Sequence, residues 1–452
     1  MVILKVLLGL AGLGIVVFVH ELGHFIAARL AGIDVEAFSI GWGQPLLRKK
    51  IGAVEYRLGV FPLGGYCKMK GENGFQEAWE NRQNAAAAEK GSFFAVKPWR
   101  RIMVAFAGPF FNFVFAVLVL SVIWGGGVEV ETLENRIVLL KDIDGSSNPS
   151  DQGGLETGDR IIEINGRSVV TYRDIQINIG LNPDVDLPVT VDRGGRTLDL
   201  TLRPGIDKTG AGKIGVYHWT EPRVAAVAAG SPADKAGLRA GDLLLAVNGR
   251  PLPYTAALLV IFEKTAPSGF TVEYERSGRR ESAVLDGVNF VSGFPDMGIR
   301  YPSIRYTTPA LNPLAAFAKG AAEAYNTLTL SVKSLGLLFK KGVDLSQAVS
   351  GPARITYMVG DIAAEGFERS VLSGLSSAAS FLALISIALC FMNLLPLPIL
   401  DGGLILLFLI EMIRRKPLHP RVVAAFQTAG VVIIFGLMLF AVFNDILFFA
   451  NR

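Results

Sequence analysis

The sequence predicts an α-helical polytopic membrane protein of about four transmembrane helices, with membrane-associated β-strands and two inserted α+β repeats. Three observations carry this. Of 452 residues, 51% are hydrophobic and only 19% charged, too apolar for an ordinary soluble protein. The middle third is nevertheless too polar to belong to a membrane bundle. Within it, one block of sequence returns 83 residues later.

The first apolar stretch is unbroken from Val6 to Val19, meets His20-Glu21-Leu22-Gly23-His24, and resumes at Phe25-Ile26-Ala27-Ala28. It carries only Lys5 ahead of it and runs straight into the histidines, so it reads as a retained helix rather than a cleaved signal peptide. Three further stretches are long enough to span, at about 20 residues each. They run from Ile102 to Trp124, from Ser377 to about Met412, and from Val422 to Phe443. The middle one is too long for a simple span. Asn393, Pro396, Pro398 and Asp401 interrupt it, predicting a helix that unwinds near Leu395 to Leu400 and restarts around Gly402.

Basic residues near the span ends set the expected orientation. Arg29 and Arg48-Lys49-Lys50 follow the first span, Lys97, Arg100 and Arg101 precede the second, and Arg414, Arg415, Lys416 and Arg421 separate the last two. The second span exits instead into Glu129, Glu131 and Glu134. Both basic loops are therefore expected in the cytoplasm and the large middle region outside. The net charge of +4 comes largely from these flanks, which points to topology and excludes a nucleic-acid partner. Cys67 and Cys390 lie in or beside membrane segments and indicate no disulfide framework.

Between the first two spans, Val35 to Met69 alternates in places and is rich in glycine, as expected of strands and tight turns near the membrane. Glu72 to Lys90 reads as a polar cytoplasmic loop. Pro313 to Phe339 is apolar but carries Lys319, Glu323 and Lys333, and is expected to lie on the membrane surface. In the polar middle, Gly154-Leu155-x-x-Gly158-Asp159 returns as Gly237-Leu238-x-x-Gly241-Asp242, and Asn165-Gly166-Arg167 as Asn248-Gly249-Arg250. A constant offset without gaps means two copies of one domain. The run from Ala236 to Gly249 resembles bacterial PDZ domains, and Gly153 to Gly166 follows it with small departures. That resemblance implies a groove taking a peptide as an added strand. A role as spacer or size filter fits equally. The expected domains are residues 1–124, the N-terminal membrane catalytic part; 125–220 and 221–305, the two PDZ-like domains; 306–376, a membrane-surface helical linker; and 377–452, the C-terminal membrane catalytic part.

His-Glu-x-x-His on a helix sets two imidazoles one turn apart on one face, with a carboxylate beside them. Catalytic zinc takes three protein ligands and leaves a position open. His20 and His24 supply two. Asp401 is the best third, because a carboxylate within an apolar stretch is badly desolvated unless paired or bound to metal. It could also cap the helix beginning at Gly402. Glu21 would take a proton from water and return it to the leaving amine. Asn393, with two donors and one acceptor, is a candidate for holding an unwound substrate backbone, or else makes an interhelical hydrogen bond.

Taken together, His20-Glu21-x-x-His24, the repeats, and Asn393-x-x-Pro396-x-x-x-x-Asp401-Gly402 resemble the site-2 proteases, and among them the bacterial regulator of sigma-E type. Supporting runs are Phe38-Ser39-Ile40-Gly41, Pro62-Leu63-Gly64-Gly65-Tyr66, Gly108-Pro109-x-x-Asn112 and Ser350-Gly351-Pro352. The resemblance covers essentially the whole chain. It implies one zinc ion on His20, His24 and Asp401, Glu21 as the base, Asn393 on the substrate, and strands around Gly41 to Tyr66 that guide it. It also implies a multi-pass protein of the bacterial inner membrane with its PDZ-like domains on the periplasmic side. The expected substrates are single-spanning membrane proteins trimmed by another protease, such as anti-sigma factors and remnant signal peptides. Two other classes remain open: a membrane-tethered scaffold in which Glu21 is dispensable, and a metal transporter using the same three ligands as a relay.

Overall fold

A computed structural model of the chain describes residues 2–82, 88–127, 129–207, 210–263, 269–291, 294–337 and 371–450. These divide into a mainly helical unit and a β-rich unit spanning Glu129–Thr307. Ser350-Gly351-Pro352 lies outside the described residues.

The helical unit contains α1 (Val2–Ala31), α2 (Pro98–Gly126), α3 (Pro313–Leu337), α4 (Val371–Leu394), α5 (Asp401–Arg414) and α6 (Pro420–Ala450). Four of them, in α1, α2, α4 and α6, are long and apolar enough to cross a membrane, which fits a polytopic membrane protein. The long third stretch breaks where its prolines require, between Leu394 and Asp401. Gly402 and Gly403 allow the unwound segment to fold back onto α5. A Cβ at either would overlap the carbonyl oxygens of Leu394, Leu395 or Leu397.

Helix α2 is the hub of this unit, packing against α1, α4 and α5. Near its start, Arg101 is buried between the rings of Phe94 and Phe408, 5.3 and 4.9 Å from the two centroids. It donates from both Nη atoms to Glu411 of α5, at 3.0 and 2.7 Å. Helix α3 runs antiparallel along the other end of α2. Leu311 N–H donates to Trp124 O, Gly320 meets Ser121 and Val117, and Ala321, Ala324 and Leu328 pack with Phe113, Ala116 and Val117. This seam of small residues lets the two backbones approach closely. It gives α3 a helix partner that its three charges do not reveal.

From Val35 to Met69 the chain forms two long strands, β1 (Val35–Ile51) and β2 (Val54–Met69). Both bend, so residues 35–40 pair with 65–69 along one edge and 37–40 with 55–58 along the other. Phe38 and Tyr56 seat this sheet on α1 through Phe18 and Phe25. The polar stretch after Glu72, expected as loop, includes a short helix, Gly74–Glu80, whose Ala78 is buried.

In the β-rich unit, two four-stranded sheets share one order. The first sets Arg167–Ser168, Arg160–Ile164, Leu187–Arg193 and Arg196–Leu202 side by side. The second sets Arg250–Pro251, Leu243–Val247, Phe270–Arg276 and Arg279–Leu285. Leu187–Arg193 and Phe270–Arg276 alternate buried and exposed residues, as half-buried strands must. Each sheet has its own apolar core, around Ile161 and Leu187 in the first and Leu244 and Phe270 in the second. Each also buries an aspartate against an arginine from the neighbouring strand. Asp159 accepts from Arg193, and Asp242 from Arg276, and each arginine also reaches a glycine carbonyl, Gly154 or Gly237. Val138, Tyr254 and Ala256 pack one repeat on the other.

Two outcomes follow from these buried charges. Glu411→Leu strands Arg101 in an apolar setting and should cost about 3–5 kcal/mol, most of it recovered when Arg101→Leu is added; thermal unfolding in detergent measures both. Burial alone would raise the Asp242 carboxyl, but Arg276 and the Arg239 N–H hold it below its usual range. Its stabilisation is therefore complete above the unfolded value of about 3.9 and lost as pH falls through the lower folded one. Asp242→Asn should lower stability at pH 7 and flatten the decline below pH 4, read from melting curves of the full chain.

Candidate metal centre

Three donor atoms from two helices converge inside the helical unit. His20 and His24 stand one turn apart on α1 with their rings edge to face, and their Nε2 atoms are 3.2 Å apart. Asp401, the first residue of α5, places Oδ2 3.2 Å from His20 Nε2 and Oδ1 3.5 Å from His24 Nε2. Among the described residues this is the one cluster of three such side chains that could hold a metal ion. Its spacing fits a tetrahedral ion: with bonds near 2.0–2.1 Å, donors lie about 3.3 Å apart. Asp401 Oδ2 is buried without a hydrogen-bond partner, a state that a carboxylate in an apolar bundle tolerates poorly unless a cation sits beside it.

The unwound segment before α5 makes this convergence possible. Leu400, not Asp401, holds the N-cap position, and no side chain caps the helix. The Asp401 carboxylate is free to face α1. Ile399 has a φ of 77°, a left-handed backbone that a β-branched residue rarely adopts. The fold bears that strain at the turn that delivers the aspartate.

Helix α2 supplies the floor. Gly108 lies directly beneath the two imidazoles, where a Cβ would overlap His24 Nε2 and stand 2.8 Å from His20 Cε1. His24 Nδ1 donates to the Val104 carbonyl at 2.8 Å. A carbonyl only accepts, so this bond fixes the proton on Nδ1 and leaves the Nε2 lone pair facing Asp401. Asn112, one turn beyond Gly108, reaches His20 Nδ1 at 3.3 Å.

Glu21 stands between the two histidines in sequence and lies within electrostatic reach of His20, His24 and Asp401. Gly65 packs against it, and a Cβ there would come 3.0 Å from Glu21 Cγ. The strand 65–69 thus runs directly past this carboxylate. Asn393 sits in the last turn of α4, half buried and with no side-chain hydrogen bond among the described residues. His218 lies on the strand Val216–His218 of the β-rich unit and His419 just before α6.

Sequence reasoning brought together the two histidines and the aspartate, but gave no role to Val104, Gly108 or Asn112. The run Gly108-Pro109-x-x-Asn112 was the visible signal, since a glycine, a proline and an asparagine stand out in an apolar helix. Their purpose depended on which face of α2 meets α1.

The family model described as Peptidase family M50 matches residues 8–437. A protein of Treponema pallidum (strain Nichols) named as a zinc metalloprotease is 40% identical over 447 residues, covering 98% of this chain and 99% of its own. Two proteins named regulator of sigma-E protease, from Haemophilus influenzae and Escherichia coli K12, are each 30% identical, with 96% of this chain and 97% of theirs aligned.

Gly108→Ala should push a methyl group between the imidazoles and lower bound metal per chain well below that of the wild type. Unchanged metal content by atomic absorption would mean that the rings can retreat from the new side chain.

Proposed function

The chain belongs to peptidase family M50, and from that premise we propose that this zinc metalloprotease cleaves the transmembrane segments of single-spanning membrane proteins. One observation carries the reading: both histidines of the donor cluster lie in a helix of membrane-spanning length and composition, packed against a second such helix, α2. A hydrolytic site at that depth suits a substrate lying in the same layer.

In this mechanism His20, His24 and Asp401 would hold one zinc ion, which would supply Lewis acidity toward a carbonyl and a water molecule. Glu21 takes the proton from the attacking water and delivers it to the nitrogen of the scissile amide, which leaves as an amine. Gly65 of the neighbouring strand packs against its side chain and limits the carboxylate's travel between the two transfers. Residues 65–69 have no second strand partner among the described residues. A substrate unwound from its helix could therefore add along them as a strand, bringing its backbone past Glu21. Asn393, with two donors and one acceptor on its side chain, would hold the opened backbone.

The finer assignments follow the same reading. The chain is placed in a bacterial inner membrane, acting in regulated intramembrane proteolysis on substrates already trimmed by another protease, such as anti-sigma factors or remnant signal peptides. The relatives named regulator of sigma-E protease support that substrate class. The two repeats of the β-rich unit are proposed as PDZ-like domains on the periplasmic side, taking peptide ends or gating access by size. Their constant offset and shared sheet order support a common fold.

The test is cleavage of a single-spanning substrate by purified protein, beside Glu21→Gln and with a zinc chelator. Wild-type cleavage lost on chelation, with Glu21→Gln inactive yet still holding zinc, is the expected result. Equal turnover by wild type and Glu21→Gln would remove Glu21 as the base, leaving a scaffold or a different catalytic group.

A further inference from the structure

The two imidazoles of the cluster are held from behind in different ways. His24 is settled by the Val104 carbonyl, which admits only one tautomer. His20 Nδ1 instead faces the side-chain amide of Asn112, whose nearer atom is placed as Nδ2 at 3.3 Å, and an amide offers either a donor or an acceptor, depending on a half-turn about its last bond. Nothing else fixes that half-turn. Asn112 is fully buried, and the far atom of its amide, placed as Oδ1, has no hydrogen-bond partner. Its backbone carbonyl accepts from Ser386 Oγ at 2.9 Å, joining this turn of α2 to α4.

We propose that Asn112 is a positioning residue for the zinc site, turning its Oδ1 to accept the Nδ1–H of His20 and so baring the Nε2 lone pair toward the metal. This rests on the assignment of His20 as a ligand. Were the amide to donate to Nδ1, the ring proton would sit on Nε2. It would then point into the 3.2 Å spaces shared with His24 and Asp401, where no ion could enter. The ring can bind metal only if the amide accepts.

The measurement is the zinc dissociation constant of the full-length protein in detergent, by competition with a chromophoric chelator. Asn112→Leu keeps the side-chain bulk and removes the acceptor, and should weaken zinc 10–100-fold, the usual cost of losing such a support. Asn112→Asp, an acceptor only, should restore near wild-type affinity. Weak binding by both variants would overturn the accepting role, since a donor is equally lost in each. Wild-type affinity in Asn112→Leu would overturn the positioning role altogether, and Asn112→Ala replaces it if leucine does not pack. His20→Ala separates the two levels. If it binds zinc as the wild type does, the ligand assignment itself falls. If it loses zinc while Asn112→Leu does not, only the positioning inference falls.

Discussion

The constraint behind this molecule is the cost of placing two imidazoles and two carboxylates among helices built for hydrocarbon. None of these groups can be left bare there, and water is not at hand to satisfy them. The structure answers by gathering His20, His24 and Asp401 within 3.2–3.5 Å of one another and giving each imidazole a polar neighbour on its other side. A cluster so arranged suits a divalent cation. The apolar shell then acts in the site's favour, because charge interactions inside it are screened far less than in water.

That arrangement sets demands on the backbone. Two donors one turn apart are available from any helix, but the third must come from elsewhere and arrive end-on. An unbroken α4 would have carried Asp401 past the histidines on the side of a cylinder. Unwinding six residues and restarting at Asp401 aims the carboxylate across the gap, at the price of a left-handed Ile399 and two glycines pressed against carbonyls. The Arg101–Glu411 pair then holds the other end of α5. Ten residues separate Glu411 from Asp401, about 15 Å along the helix, so α5 is fixed to α2 near one end and meets α1 at the other. Since α2 also carries Val104, Gly108 and Asn112, a single helix provides the reference for all three donors.

Much of this was legible in the sequence because the signals were local or chemically costly. The His-Glu-x-x-His spacing, the prolines in the long apolar stretch and the lone aspartate after them each violate what an ordinary membrane helix would contain. The offset of the repeats needed no structure either, and the sheets built from them differ by the same interval. What stayed hidden depended on rotation between helices. Arg101 reads as one more basic residue at a span end, yet it is buried between two aromatic rings and paired with a glutamate 310 positions away. Helix α3 reads from its charges as a helix on the membrane surface, and its small residues fit α2 while Lys319 and Glu323 both use Trp124, through its ring face and its N–H.

Under the proposed function, the strands beside α1 answer a different requirement. Proteolysis of a transmembrane helix cannot begin while its carbonyls are tied into the i to i−4 ladder, and unwinding exposes backbone groups that nothing in lipid can satisfy. An open strand edge is the simplest replacement partner, since it offers N–H and C=O groups at the spacing an extended chain needs. Here the edge formed by residues 65–69 is not merely near the proposed base. Its Gly65 packs against the Glu21 side chain, where a Cβ would come 3.0 Å from Cγ. A chain added along that edge would exchange its helical hydrogen bonds for strand bonds in the same place where its amide meets a proton acceptor. On this reading, unfolding the substrate and positioning it for hydrolysis are one event.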